Sequence, residues 1–238
     1  MNGSDLEKQV KFILEKNNWK VSPNLYYKDP ITQKSREKDI IGLSVQFDTN
    51  DVLRYNVRLF IECKCLPEET EIYRNDTRID VEGTLLNYNI PYADISEIEG
   101  VEQLHFYKYA EIFGAKDSKD HLYKAISQNL ASFEAFRKNS PENGLYYLLV
   151  VYDGKLKAEG KNYDNALIKI ETLDDVFNLP NNKCFIELIS ISQLDNLLKE
   201  IKGDIDKINT SAFFYCKMEM NRLNENRKNR NNDGYYVF

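Results

Sequence analysis

A mixed α/β fold, with a central β-sheet flanked by helices, is predicted by the order in which hydrophobic periods change along the chain. Apolar residues recur at helical spacing near the start, at Leu6, Val10, Ile13 and Leu14. Strand-like runs follow at 20–27, 37–48 and 55–65. Two apolar runs, Leu145 to Tyr152 and, apart from Glu187 and Ser190, Cys184 to Ile191, each adjoin a helical pattern. Runs of that kind mark strands buried on both faces, as in a sheet with helices on both sides.

Taken in order, the first helix spans 4–17. Ser4 is its expected N-cap, and Glu7 three residues later completes a capping box, so Glu7 either caps the helix or serves a site. The three strands come next. The stretch from Pro67 to about Gly100 is polar and has no sustained period, which reads as a long insertion placed to wall a substrate cleft. Helical patterns resume at 101–113 and 119–138, the second ending before Asn139-Ser140-Pro141. The Leu145–Tyr152 strand, the Cys184–Ile191 strand and a helix from Ser192 to about Asn209 complete the order α-β-β-β-α-β, then β-α. In the last helix Leu194, Leu197, Leu198 and Ile201 form an apolar face, which packs on its own domain or on a partner. One domain over 1–208, with the insertion at about 67–100, is therefore expected. A helical or partly flexible basic tail over 209–238 carries Lys217, Arg222, Arg227, Lys228 and Arg230.

Composition bounds the function. With 238 residues, 42% of them hydrophobic, the chain can bury a core as one elaborated domain. No run approaches the roughly 18 consecutive apolar residues of a membrane span, and the start lacks a signal peptide's apolar region, so a cytoplasmic protein without a membrane partner is expected. Cys63, Cys65, Cys184 and Cys216 lack the Cys-x-x-Cys spacing of a structural zinc site and read as buried small hydrophobes. His105 and His121 are too isolated for a histidine-metal centre, and neither a phosphate-cradling Gly-rich loop nor a serine nucleophile elbow occurs. The net charge of −6 argues against a passive nucleic-acid coat, while an acidic metal site with a local basic rim remains compatible with it.

Glu62-Cys63-Lys64 carries the chemistry. Glu-x-Lys occurs three times, but Glu159/Lys161 lies in a Gly-containing turn and Glu200/Lys202 ends a helical run; only Glu62/Lys64 continues a strand, Val57 to Ile61. Alternation puts Glu62 and Lys64 on one face, about 7 Å apart, with Ile61, Cys63 and Cys65 on the other. If the Asp39 strand pairs alongside, two carboxylates converge beside one lysine. Oxygen donors of this kind suit Mg²⁺ or Mn²⁺, which leave coordination positions to water and phosphate. Glu37 shares the strand face of Asp39 but lies nearer the strand's exposed start, so Asp39 is preferred.

The arrangement resembles the PD-(D/E)xK nuclease superfamily, in its restriction-endonuclease-like, Mrr-like branch. The resemblance spans about the first two-thirds of the chain. It rests on the N-terminal helix with Glu7 and the following Trp19-Lys20-Val21, on Ser35-Arg36-Glu37-Lys38-Asp39-Ile40, on Ile61-Glu62-Cys63-Lys64, and on the helix containing Leu122 to Gln128. It implies a restriction-endonuclease-like core in which Asp39 and Glu62 hold Mg²⁺ or Mn²⁺ and Lys64 orients or activates the attacking water. Glu7 and Gln128 would assist, and Lys124, Arg36 and Lys38 would contact nucleic acid. Lys38 stands where the superfamily's named proline would be, a departure frequent within it. The implied function is a metal-dependent endonuclease acting on DNA, with RNA left open, in restriction or antiphage defence. The implied assembly is a homodimer or a complex with an ATPase/helicase or sensor subunit. The competing readings are a non-catalytic nucleic-acid-binding or scaffold subunit and a repair or recombination nuclease.

Overall fold

The computed structural model describes residues 2–30, 32–47, 54–66, 70–75, 88–89, 104, 109, 111–115, 121–139, 144–171 and 183–207. The basic tail and most of the 67–100 segment lie outside the described residues.

Helix α1 (Gly3–Lys16) buries Leu6, Val10 and Leu14, the apolar stripe its spacing announces. Its N-cap is Asn2, whose side chain accepts the Asp5 N–H at 2.9 Å. Ser4, the expected cap, is already inside the helix. Asparagine caps as well as serine, and with the cap two residues earlier Asp5, not Glu7, holds the third helical position that a capping box uses.

Strands β1 (Lys20–Lys28), β2 (Ser35–Phe47) and β3 (Arg54–Cys65) form an antiparallel meander, with Ser22 opposite Ile41 and Ile41 opposite Phe60. Short strands β4 (Thr70–Asn75), β5 (Tyr88–Asn89) and β6 (Ile112–Ala115) follow. Helix α2 (His121–Asn139) then crosses to β7 (Gly144–Asp153), which returns parallel to β3 with Glu62 opposite Val150 and Lys64 opposite Tyr152. Beyond it lie β8 (Leu156–Ala158), β9 (Lys161–Tyr163), β10 (Asn165–Glu171) and β11 (Lys183–Ser190). A 3₁₀ turn, Ile191–Gln193, leads into α3 over 194–207. Among the described residues the sheet runs β1-β2-β3-β7-β11-β10-β6-β4-β8-β9, with β5 against the start of β7.

Two apolar layers clamp this mixed sheet. On one face Leu6, Val10 and Leu14 of α1 and Leu194, Leu197, Leu198 and Ile201 of α3 meet Leu59, Ile61, Leu149 and Val151. On the other, Leu122, Ile126, Leu130 and Phe133 of α2 meet Phe60, Leu148, Val150 and Ile186. The apolar face of the last helix is thus spent on its own domain. Burial of β7 from Leu145 to Tyr152 fits a central strand sandwiched by helices.

The chain departs from expectation in three places. Where a helix is expected over 101–113, Ile112 and Phe113 belong to β6 and pair with Leu167 and Ile168, and most of the rest lies outside the described residues. The 67–100 stretch contributes β4, with Thr70 and Ile72 buried, so part of it belongs to the sheet. Residues 156–171, which carry no sequence expectation beyond a turn near Gly160, add three strands; Glu159 and Gly160 take positive φ in the tight turn between β8 and β9. Among the described residues no helix is long and apolar enough to cross a membrane.

Candidate active site

The ladder between β2 and β3 ends at Ile40 opposite Ile61. Beyond that point side chains bridge the strands. Asp39 Oδ2 accepts the Cys63 N–H at 2.8 Å, and Lys38 Nζ donates to Glu62 Oε1 at 2.8 Å. Lys38 and Glu62 are each only 1% exposed. Asp39 and Lys64 are half-buried, and so is Glu7, which α1 delivers to the same place.

Electrostatics ties these groups together. Burial raises the Glu62 carboxyl above the ordinary glutamate range; Lys38 pulls it back, Asp39 pushes it up further and Lys64 opposes the rise. Burial also raises Glu7, reinforced by the charges of Asp39 and Glu37 and countered by Lys64. Lys38 is lowered by its own burial, with Glu62 and Asp39 acting against that loss. Asp39, Glu62, Lys64 and Glu7 therefore share one field. Lys38, expected to meet nucleic acid, is instead the buried counter-ion of Glu62.

Gln128, Arg36 and Lys124 collect a short way off, in a groove of about 410 Å³ between the β1–β2 turn and the start of α2. The Arg36 Nε is ion-paired to Asp29, a buried residue whose other oxygen accepts the Thr32 N–H at 2.9 Å. Tyr27 links groove and carboxylates. Its hydroxyl donates to the Gln128 main-chain oxygen at 3.2 Å, and its phenol is held well above its ordinary range by burial first and then by Glu62, Asp29 and Asp39.

Sequence reasoning missed Tyr27, Asp29 and Asn129. Tyr27 and Asp29 offered no pattern. Asn129 did, as an amide within the apolar stripe of α2. It is fully buried and donates to the main-chain oxygens of Phe60 at 3.0 Å and Leu149 at 2.7 Å, latching β3 to β7 two residues before Glu62.

Among the described residues no three His, Cys, Asp or Glu side chains converge closely enough to hold an ion by themselves. Two carboxylates, Asp39 and Glu62, do lie within each other's field, each with one oxygen held by a hydrogen bond. That donor set fits Mg²⁺, which takes one or two carboxylates and fills its shell with water and phosphate. It does not fit an ion that requires an all-protein cage. The chain finds no match among protein-family models, curated proteins or solved structures.

Proposed function

We propose that the protein is a metal-dependent endonuclease with a restriction-endonuclease-like core, hydrolysing DNA phosphodiester bonds in restriction or antiphage defence. The observation that carries the reading is the meeting of Asp39, Glu62, Lys64 and Glu7, from three elements, at the notch where β2 and β3 part. Helix α1 leading into the antiparallel β1-β2-β3 meander, and α2 leading, after three short strands, into β7 parallel to β3, support it as well.

Asp39 and Glu62 would hold Mg²⁺ or Mn²⁺, which when bound polarises a scissile phosphate and acidifies water. Lys38 opposes the rise of the buried Glu62 carboxyl and fixes its direction. Lys64, whose charge reaches Glu62 and Glu7, would orient the attacking water or offset the charge that develops on the phosphate. Tyr27, kept protonated, remains a hydrogen-bond donor at the groove's inner end.

Glu62→Gln and Lys64→Ala are each expected to remove Mg²⁺-dependent cleavage of plasmid and linear DNA, with folding confirmed by circular dichroism. Full turnover in either variant, or in excess chelator, would remove the site from consideration. A second reading, a non-catalytic nucleic-acid-binding subunit, is favoured by one observation: the Lys38–Glu62 pair is sealed as a structural ion pair is. It predicts nucleic-acid binding without cleavage in the wild-type chain.

A further inference from the structure

We propose that the groove between the β1–β2 turn and the start of α2 seats one nucleotide of a single-stranded nucleic acid, base against Tyr123 and phosphate between Arg36 and Lys124. The proposal rests on the nuclease reading only for the strand's destination, the Asp39–Glu62 notch.

The groove combines an exposed aromatic ring with positive charge. Tyr123 is 41% exposed where it lines the groove, so its ring is open to a ligand seated there. Among the described residues Lys124 has no ion-pair partner, and Arg36 commits only its Nε, to Asp29. Because Asp29 is buried and itself held by the Thr32 N–H, the guanidinium is fixed before any ligand arrives, which lowers the entropic cost of gripping a phosphate. Asp29, which also lines the groove, offsets Arg36, so Lys124 leaves the lining one net positive charge in a chain of net charge −6, a local preference for an anion.

Size and shape argue for a single strand. A volume of about 410 Å³ falls at the scale of one small-molecule unit. A duplex keeps its bases stacked and offers no free ring face to Tyr123, whereas a single strand can splay one base onto it. Gln128, with both amide donors and an acceptor, can meet the edge of a seated base. Through the Tyr27 hydroxyl, bonded to Gln128 at 3.2 Å, the floor of the groove continues toward the carboxylates.

Fluorescence anisotropy on the full chain tests this in chelator, which prevents cleavage. The probes are labelled single-stranded DNA, single-stranded RNA of the same sequence, and the blunt DNA duplex. Either single strand is expected to bind more tightly than the duplex. Tyr123→Ala should weaken that binding roughly 5- to 150-fold, the equivalent of about 1–3 kcal/mol for one stacked base, while Tyr123→Phe keeps it. Lys124→Ala should reduce the salt dependence of single-strand affinity by about 0.7 in log–log slope. Duplex binding as tight as single-strand binding, or a Tyr123→Ala variant with wild-type affinity, overturns the proposal. The nuclease reading fails separately: a wild-type chain that shows the Tyr123-dependent binding yet never cleaves with Mg²⁺ refutes catalysis and leaves the groove. A chain that cleaves, but whose single-strand affinity ignores Tyr123, refutes the groove and leaves catalysis.

Discussion

At the residue scale, the Lys38–Glu62 pair decides how the site is held. Both groups are buried, so each has lost its hydration, and their 2.8 Å contact compensates only while both are present. Lys38→Met is therefore expected to cost about 3–5 kcal/mol at neutral pH, read from urea unfolding, while the double variant Lys38→Met/Glu62→Met recovers most of the loss. The pH dependence follows from the raised Glu62 carboxyl. A group that holds its proton more tightly in the folded state gives its full stabilisation below its unfolded range and loses it as pH rises through the folded value. Removing Lys38 raises that value further, so the gap between variant and wild type should widen on going from acid toward neutral pH. A variant as stable as wild type throughout would contradict the pair's role. Asp39, Glu62 and Lys64 were legible because strand alternation and residue chemistry point to one place. Lys38 was not: the resemblance implied that it meets nucleic acid, and in sequence such a lysine is indistinguishable from one sealed against a carboxylate. Glu7 was ambiguous between cap and site; Asn2 supplies the cap, and Glu7 is raised by burial and then by the charges of Asp39 and Glu37.

At the scale of elements, the long periodic segments were legible and the short ones were not. α1, β1, β2, β3, α2, β7 and β11 each have enough length for a period or a continuous apolar run to declare itself. β8 and β9 are three residues each, and β10 carries Lys169 buried among Ala166, Leu167 and Ile168, so no local pattern separates them from loop. β6 was misread because Ile112 and Phe113 are apolar enough to extend a helical count, and only their pairing with β10 makes them strand. The junction after β7 shows how tightly these pieces meet. Gly154 has φ +137, and a Cβ there would sit 2.8 Å from the Leu66 main-chain oxygen. That same stretch is fixed by the Leu66 N–H donating to Asp153 at 2.8 Å. Gly154→Ala meets both backbone strain and backbone contact and should cost about 1–3 kcal/mol. Because β3 and β7 are locked together there, cleavage should fall along with stability. A thermal melt superimposable on wild type would show that the junction yields.

At the scale of the whole molecule, the question is how one site serves a duplex. The layered α/β plan was legible from the order of periods, since two both-faces-buried strands demand helices on either side. The sheet's order was not, because pairing between distant strands leaves no trace in a local period. One consequence concerns assembly. On the proposed nuclease reading, Asp39, Glu62 and Lys64 would make one centre per chain, and a single centre of this kind would cut one strand. Breaking both strands then takes a second copy, a second nuclease or two successive visits, and symmetric pairing is the commonest solution among soluble proteins. The last helix has no apolar face to offer, since Leu194, Leu197, Leu198 and Ile201 are buried against the protein's own sheet. Phe12 of α1 and Tyr26 of the outermost strand β1 are exposed, as apolar surface still uncovered. A homodimer, or a complex with a motor or sensor subunit, is thus expected to pair away from α3, and light scattering of the purified chain should give twice the chain mass in the first case. Charged substitutions in the buried α3 stripe should unfold the chain, whereas Phe12→Glu and Tyr26→Glu should leave it folded and halve the mass if those residues form the contact. A strict monomer that makes double-strand breaks at rates linear in enzyme concentration would refute the paired-site arrangement.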